Sequence, residues 1–504
     1  MADDREPAAS STALTDEGAK PASSQSTFAL LLLCFFLSGL AALIYQTAWT
    51  RTFAFVFGTS ELAVATVLAA YMAGLAVGAT VAARLVERVR RPVLVYGVLE
   101  GAIAVSALCV PLALRGADAL HVALFAVPDA PPAAGHAVNA LFYLVAAFAV
   151  LIVPTALMGA TLPLLAREAI HRQRDVGPRI AVLYAMNTAG AVAGTLLAGF
   201  WLLPALGLSG TVWIAVAANA AVFVAAASVG LRSRPGRDSD AATRIEAPAF
   251  VNGWVLPVML ASGAVSFTYE VLWTRLLGHV LGGSVYAFAT MLASFLTGIA
   301  LGSAAASRFS RDAFTAGRAL FVCQLGIGLL SLAAFLAMDS LPGFTRALGS
   351  GGAGRLAADA ISSVAVLLPS TTLLGATFPL AVRLYARDET GAPTASARVY
   401  AWNTVGAIVG ALGAGFFLIP AVGFARAVAL AAAANLFLAA AVALRAPGRA
   451  GAVRRKPTGR VLAAMLPAAI VLLVPPPTPW TLLRTAPLGL NTSPGELVFD
   501  VVGR

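Results

Sequence analysis

The chain has 504 residues, of which 59% are hydrophobic and 11% charged. Soluble domains carry roughly 25% charged residues, so this composition excludes a soluble globular domain and predicts a polytopic protein of the lipid bilayer. The net charge of +11 is spread over loops between apolar runs rather than clustered, and no nucleic-acid partner is expected.

Residues 1–26 are polar, of mixed charge and rich in Ser, Ala and Asp. They read as a disordered cytoplasmic tail. They lack the basic start and cleavage site of a signal peptide. The uncharged run from Phe28 to Tyr45 then opens the membrane part, since about 20 apolar residues cross a bilayer.

Spans are predicted near residues 27–47, 60–83, 92–114, 138–165, 180–203, 209–231, 251–272, 284–307, 317–337, 357–380, 395–419, 424–444 and 460–475. The expected organisation is a six-helix repeat over 27–231, a cytoplasmic linker over 232–250 and a second six-helix repeat over 251–445. Residues 446–504 form a basic loop, a thirteenth membrane helix and a junction segment.

The basic residues sort by side. Alternate loops hold 24 of them, from Arg84 to Arg460, and the opposite loops hold six: Arg51, Arg115, Arg275, Arg346, Arg355 and Arg426. The positive-inside rule makes the first set cytoplasmic. The N-terminus is then cytoplasmic and the C-terminal tail lies on the outer side. Cys34, Cys109 and Cys323 all fall inside spans, so no disulfide, metal site or cofactor is expected.

The two repeats align closely. GTSELAVATVLAAYMAGLAVG (58–78) matches GGSVYAFATMLASFLTGIALG (282–302) at an offset of 224 residues. Later the offset is 216: YAMNTAGAVAGTLLAGFWLLPALG (184–207) matches YAWNTVGAIVGALGAGFFLIPAVG (400–423), and Asn219 matches Asn435. An even number of spans per repeat gives both halves the same orientation. Parallel repeats related by an axis along the membrane normal are the arrangement of the major facilitator fold, so the fold class is an all-α integral membrane bundle of two parallel six-helix repeats.

The GxxxG pairs at Gly74/Gly78, Gly190/Gly194, Gly298/Gly302 and Gly406/Gly410 read as sites of close helix approach. Pro154, Pro163, Pro204, Pro369, Pro379 and Pro420, within or at the ends of spans, suggest shared bends. The segment ARLVERVRRP (83–92) reads as a solvated basic loop.

Ionisable side chains at membrane depth are functional candidates. Two carboxylates sit well inside the spans, Glu100 and Glu270, and the repeat places an amide opposite each: Gln324 and Gln46. Facing a central cavity, the two acids would bind a small cation or carry protons. Two structural readings stay open beside this one. Glu270 would pair with Arg275 near the surface, and Glu100 would be a protonated acid hydrogen-bonded inside the bundle.

Tyr45/Tyr269 and Asn187/Asn403 are candidate cavity-lining pairs. For the asparagines an interhelical hydrogen bond is the default. Trp49 and Trp273 read as interfacial anchors. There is no HExxH, GxSxG or P-loop pattern, and no catalytic constellation is predicted.

The doubled blocks SGLAALIYQTAWTR (38–51) and SGAVSFTYEVLWTR (262–275), with LMGATLPL and YAMNTAGAVAGTLLAGF, resemble the membrane part of the fused facilitator/spermidine synthase proteins of bacteria. The stretch PPPTPWTLLRTAPLGLNTSPGELVFDVVGR (475–504) is similar to the junction before that family's synthase domain. The Gly-rich GGGDG-type motif of such a domain is not in the sequence, so the resemblance carries over no catalytic residue and implies a non-enzyme. It implies a bacterial inner-membrane protein that is either a transporter-like bundle for a small cationic, polyamine-like solute, or the membrane anchor of a synthase-like domain encoded downstream or separately.

Overall fold

The computed structural model describes residues 22–57, 61–125, 136–170, 175–232, 250–282, 284–348, 352–386, 388–448 and 457–484. The expected linker 232–250 lies outside the described residues except at its two ends, as do the tail 1–21 and the junction beyond Arg484. Residues 22–26 correct one expectation: they belong to the first helix rather than to a tail.

The described residues are helical, with no strand among them. The first half comprises α1 (Ala22–Phe57), α2 (Glu61–Leu85), α3 (Pro92–Phe125), α4 (His136–Gly159), α5 (Thr161–Ala169), α6 (Val176–Leu197) and α7 (Leu203–Arg232). The second comprises α8 (Val255–Leu281), α9 (Val285–Ala306), α10 (Ala313–Leu336), α11 (Leu341–Leu348), α12 (Gly352–Tyr385), α13 (Ala392–Leu412) and α14 (Ile419–Arg445). Ten stretches among the described residues are long and apolar enough to cross a membrane.

Two of these stretches, Val176–Arg232 and Ala392–Arg445, contain 57 and 54 residues. A straight helix of that size would measure about 80–85 Å, far more than a hydrocarbon core of about 30 Å. Each instead turns at a glycine. Gly207 has φ 66° and ψ −172°, and Gly423 has φ 74° and ψ 174°. Only glycine occupies that region without strain, and the two lie 216 residues apart, at matching repeat positions. Just before each turn the helix widens into a π segment, Ala198–Leu202 and Gly413–Leu418.

Helix pairing follows the repeat. The pairs α1–α6, α2–α4, α3–α7 and α1–α7 recur as α8–α13, α9–α12, α10–α14 and α8–α14. The halves meet through α2–α13 and α6–α9, two contacts that the pseudo-two-fold axis exchanges. Glycines set the spacing. A Cβ on Gly78 would stand 1.8 Å from the Ala156 carbonyl oxygen, and one on Gly302 would stand 1.7 Å from that of Thr372. The bends are less alike: the chain breaks at Ala160 between α4 and α5, whereas α12 runs through both Pro369 and Pro379.

The buried core divides unevenly along the membrane normal. At the ends of the helices that adjoin the basic loops, one cluster joins both halves, with Leu31, Phe35, Ile180 and Leu183 meeting Val258, Phe378, Leu380 and Val399. On the opposite side each half keeps its own core. Tyr45, Trp49 and Phe53 anchor the first, and Tyr269, Trp273 and Leu277 the second. The bundle is therefore sealed on the basic side, with separate cores on the other.

Beyond the repeats, α15 (Thr458–Leu473) packs along α14, and its Ala464 joins the basic-side cluster. Its 16 residues fall short of the about 20 of a full span. The following segment reaches α16 (Trp480–Leu483), where Leu482 is buried in the opposite-side core and donates its N–H to Asp339 Oδ1 at 3.1 Å. Ala464 is thus buried in the cluster shared by both halves, and Leu482 in the separate core of the second half.

Candidate functional site

Glu270 lies on α8, on the side of the bundle where the halves keep separate cores. Its helix turn is polar on one face, with Thr274 donating to the Glu270 carbonyl at 2.7 Å. A pocket between α8, α9 and α12 is lined by Glu270, Trp273, Thr274, Phe288, Met291, Phe295 and Leu367. The Glu270 side chain is partly exposed. Among the described residues no hydrogen bond or ion pair to its carboxylate is formed. Arg275, the surface partner that the sequence left open, instead donates from Nη2 to the Gly415 carbonyl oxygen at 3.4 Å. That carbonyl belongs to the π segment of the α13–α14 stretch, where the widened helix leaves backbone acceptors without their usual donors.

Glu100 sits elsewhere. It is fully buried on α3 and accepts a hydrogen bond from Asn219 Nδ2 of α7 at 2.5 Å. Ser38 of α1 and Tyr96 of α3 stand beside its carboxyl group. Gln324 occupies the equivalent place in the second half, also fully buried, and donates from Nε2 to Ser262 Oγ at 2.9 Å. Ser262 and Asn435 are the repeat equivalents of Ser38 and Asn219. The expectation that Glu100 and Glu270 share one central cavity is therefore corrected. Glu100 and Gln324 each lie inside a half, and only Glu270 of the two acids lines the pocket. Gln46, its repeat partner, is 9% exposed on α1.

The other expected lining residues also settle differently. Tyr45 and Tyr269 are 0% and 1% exposed, and neither lines the pocket. Each stacks on the tryptophan one turn later: Tyr45–Trp49 at 5.1 Å and 12°, Tyr269–Trp273 at 6.1 Å and 7°. Trp49 and Trp273 are both 2% exposed, which corrects their reading as interfacial anchors. Stacking lets both rings bury a large apolar area within the core. Asn187 donates from Nδ2 to the Phe35 carbonyl oxygen at 3.1 Å, an interhelical bond between α6 and α1. Asn403 is half-buried on α13, its backbone carbonyl set against Gly263 of α8.

Two side-chain contacts escaped the sequence. Thr394 Oγ1 at the start of α13 donates to Glu87 Oε1 at 2.6 Å. The segment 83–92 is therefore more than a solvated loop: it ties the halves together on the basic side. Arg167 reinforces it by donating to the Val86 carbonyl. The second is the Glu100–Asn219 pair. The matching of Ser38 with Ser262 and Asn219 with Asn435 was its available signal, but nothing in the linear order brings α1, α3 and α7 together.

A doubled six-helix bundle, sealed at one end and carrying an acid-bearing pocket toward the other, defines a multipass membrane protein of the major facilitator fold. The solved structures similar to it have that fold. A crystal structure of the human organic anion transporter MFSD10 (TETRAN) superposes with a TM-score of 0.52 at 13% identity, covering 84% of this chain and 100% of that one. A crystal structure of the E. coli fucose:proton symporter FucP, carrying a single substitution, superposes with a TM-score of 0.50 at 15% identity, again covering 84% of this chain and 100% of that one. No protein-family profile and no curated protein sequence matches the chain.

Proposed function

We propose that the protein moves a small cationic, polyamine-like solute across a bacterial inner membrane, with Glu270 as the group that meets it. The observation that carries this reading is the Glu270 carboxylate. It stands in a pocket with Phe288 and Phe295 and has no partner among the described residues. A carboxylate among aromatic faces suits an ammonium group, through charge pairing and cation–π attraction. The imbalance of basic residues supports a cytoplasmic sealed side and a pocket facing the outside.

The second reading is a membrane anchor for a synthase-like domain, without transport. It is supported by the doubled Y-[EQ]-x-x-W-T-R block and the resemblance of residues 475–504 to a family junction.

Reconstituted protein and its Glu270→Gln variant separate the two. The transporter reading expects uptake of labelled putrescine or spermidine into proteoliposomes, reduced at least about tenfold in E270Q, a loss near 1.4 kcal/mol or more. Absence of flux in the wild-type protein for every small amine tried would sink it in favour of the anchor.

A further inference from the structure

Glu100 and Asn219 present an unusual pair of orphans. Asn219 Nδ2 donates to Glu100 Oε2 at 2.5 Å, yet Glu100 Oε1 and Asn219 Oδ1 are both buried and have no hydrogen-bond partner among the described residues. Both are acceptors when the acid is ionised, so neither can satisfy the other. A single proton on Oε1 changes this. A neutral carboxylic acid and a primary amide close a two-bond ring, with amide N–H to one carboxyl oxygen and acid O–H to the amide oxygen. The Tyr96 hydroxyl, also unpaired, and Ser38 stand beside the same carboxyl as neutral donors, and the acid proton is what supplies a donor to the Asn219 oxygen.

Charge leads to the same conclusion. An ionised carboxylate buried without a counter-charge is strongly disfavoured. The titratable groups near Glu100 are Cys34 and Tyr45 of α1 and Tyr96 of its own helix. Among the described residues, the elements packed against α3 present no arginine, lysine or histidine to it. The repeat supplies an independent comparison. At the equivalent position the second half carries Gln324, equally buried, which donates to the equivalent serine, Ser262. Glutamine is the neutral isostere of a protonated glutamate, so this site is built for an uncharged hydrogen-bonding group.

We infer that Glu100 is the proton-binding site of the protein, held as the neutral acid paired with Asn219, while Glu270 receives the solute. The assignment to solute movement rests on the proposed function; the protonated pair does not. The loaded proton resides in the half that lacks the pocket acid. Ser38 of α1 touches its site, and Gln46 lies on that same helix two turns further on. Release requires α1, α3 and α7 to part enough to admit water.

The test is infrared difference spectroscopy of the full chain in lipid nanodiscs at neutral pH, with 13C-labelled glutamate. A protonated carboxyl C=O band is expected that vanishes in E100Q, persists in E270Q and moves to higher frequency in Asn219→Leu. A wild-type spectrum without that band overturns the proposal. So does a band that sodium abolishes, since a metal ion would then be the counter-charge. Should E100Q not fold, the Asn219→Leu shift decides alone, and an unshifted band counts against the pair. In proteoliposomes, E100Q should keep solute exchange at equal pH and lose acceleration by a proton gradient. Retained acceleration overturns the coupling, while absent flux in wild type removes the transport reading and leaves the spectroscopic result standing.

Discussion

Gly39 of α1 lies directly against the backbone carbonyl of Asn187 on α6: a Cβ built on it would stand 2.0 Å from that oxygen. Gly263 and Asn403 repeat the contact at 2.0 Å in the second half. In a bilayer, lipid tails are as apolar as leucine, so close backbone approach rather than hydrophobic transfer holds such helices together. Gly39→Ala and Gly263→Ala should each destabilise the bundle by about 1–3 kcal/mol, the range for overpacked cores. Gly116→Ala, with nothing within 4 Å of its Cβ, should be neutral or slightly stabilising. Thermal unfolding of the three variants in detergent checks this, and equal melting temperatures would count against the packing argument.

At Gly207 and Gly423 the cost is torsional instead. No atom stands within 4 Å of a Cβ at either position, but both have φ near 70°. Alanine at either should cost about 1–3 kcal/mol, and the double variant should approach the sum, since the two turns lie in different halves. A melting temperature indistinguishable from that of Gly116→Ala would refute it.

The Thr394–Glu87 bond joins the halves on the sealed side. Glu87 is exposed, so solvent screening keeps the effect of Thr394→Val to about 0.5–1 kcal/mol. The expected consequence is a shift of population rather than unfolding. Impermeant thiol reagents added from the basic side should label a cysteine at Phe378 several times faster in the variant than in its parent, both lacking the native cysteines. An unchanged rate would mean that the bond does not hold the seal.

The same chemistry reads out the resting arrangement. With Cys34, Cys109 and Cys323 replaced, Leu292→Cys in the pocket wall should label from the face opposite the basic loops and not from the basic face. The reverse pattern would contradict separate cores on that side.

Asp312 caps α10, accepting the Thr315 N–H at 2.8 Å. That bond, helped by the neighbouring Arg383 guanidinium, holds its carboxyl below the usual aspartate range. A depressed folded-state pKa adds stability that is present above the unfolded pKa and lost as pH falls through the folded one. Asp312→Ala should therefore cost about 1 kcal/mol at neutral pH and almost nothing well below about pH 3. A pH-independent difference between the melting temperatures of the two proteins would refute this.

Composition and internal repetition by themselves determined the class of this protein. A chain with so few charges must be solvated by lipid, and helices satisfy every backbone group internally at that depth. Two copies of a six-span pattern in the same orientation determine a pseudo-symmetric bundle. The GxxxG pairs were legible for the same reason, because helical periodicity places residues four apart on one face.

The sites were less legible. Glu100 and Glu270 look alike in sequence, each an acid in an apolar run opposite an amide in the repeat. Tertiary structure separated them by packing Glu100 against Asn219 within the first half and leaving Glu270 at a pocket in the second. It likewise buried Trp49 and Trp273, joined Glu87 to Thr394 across 307 positions, and drew Arg275 to a π-segment carbonyl. Each of these depends on which helices become neighbours. Spacing along one helix specifies a face, but only three-dimensional packing decides what that face meets.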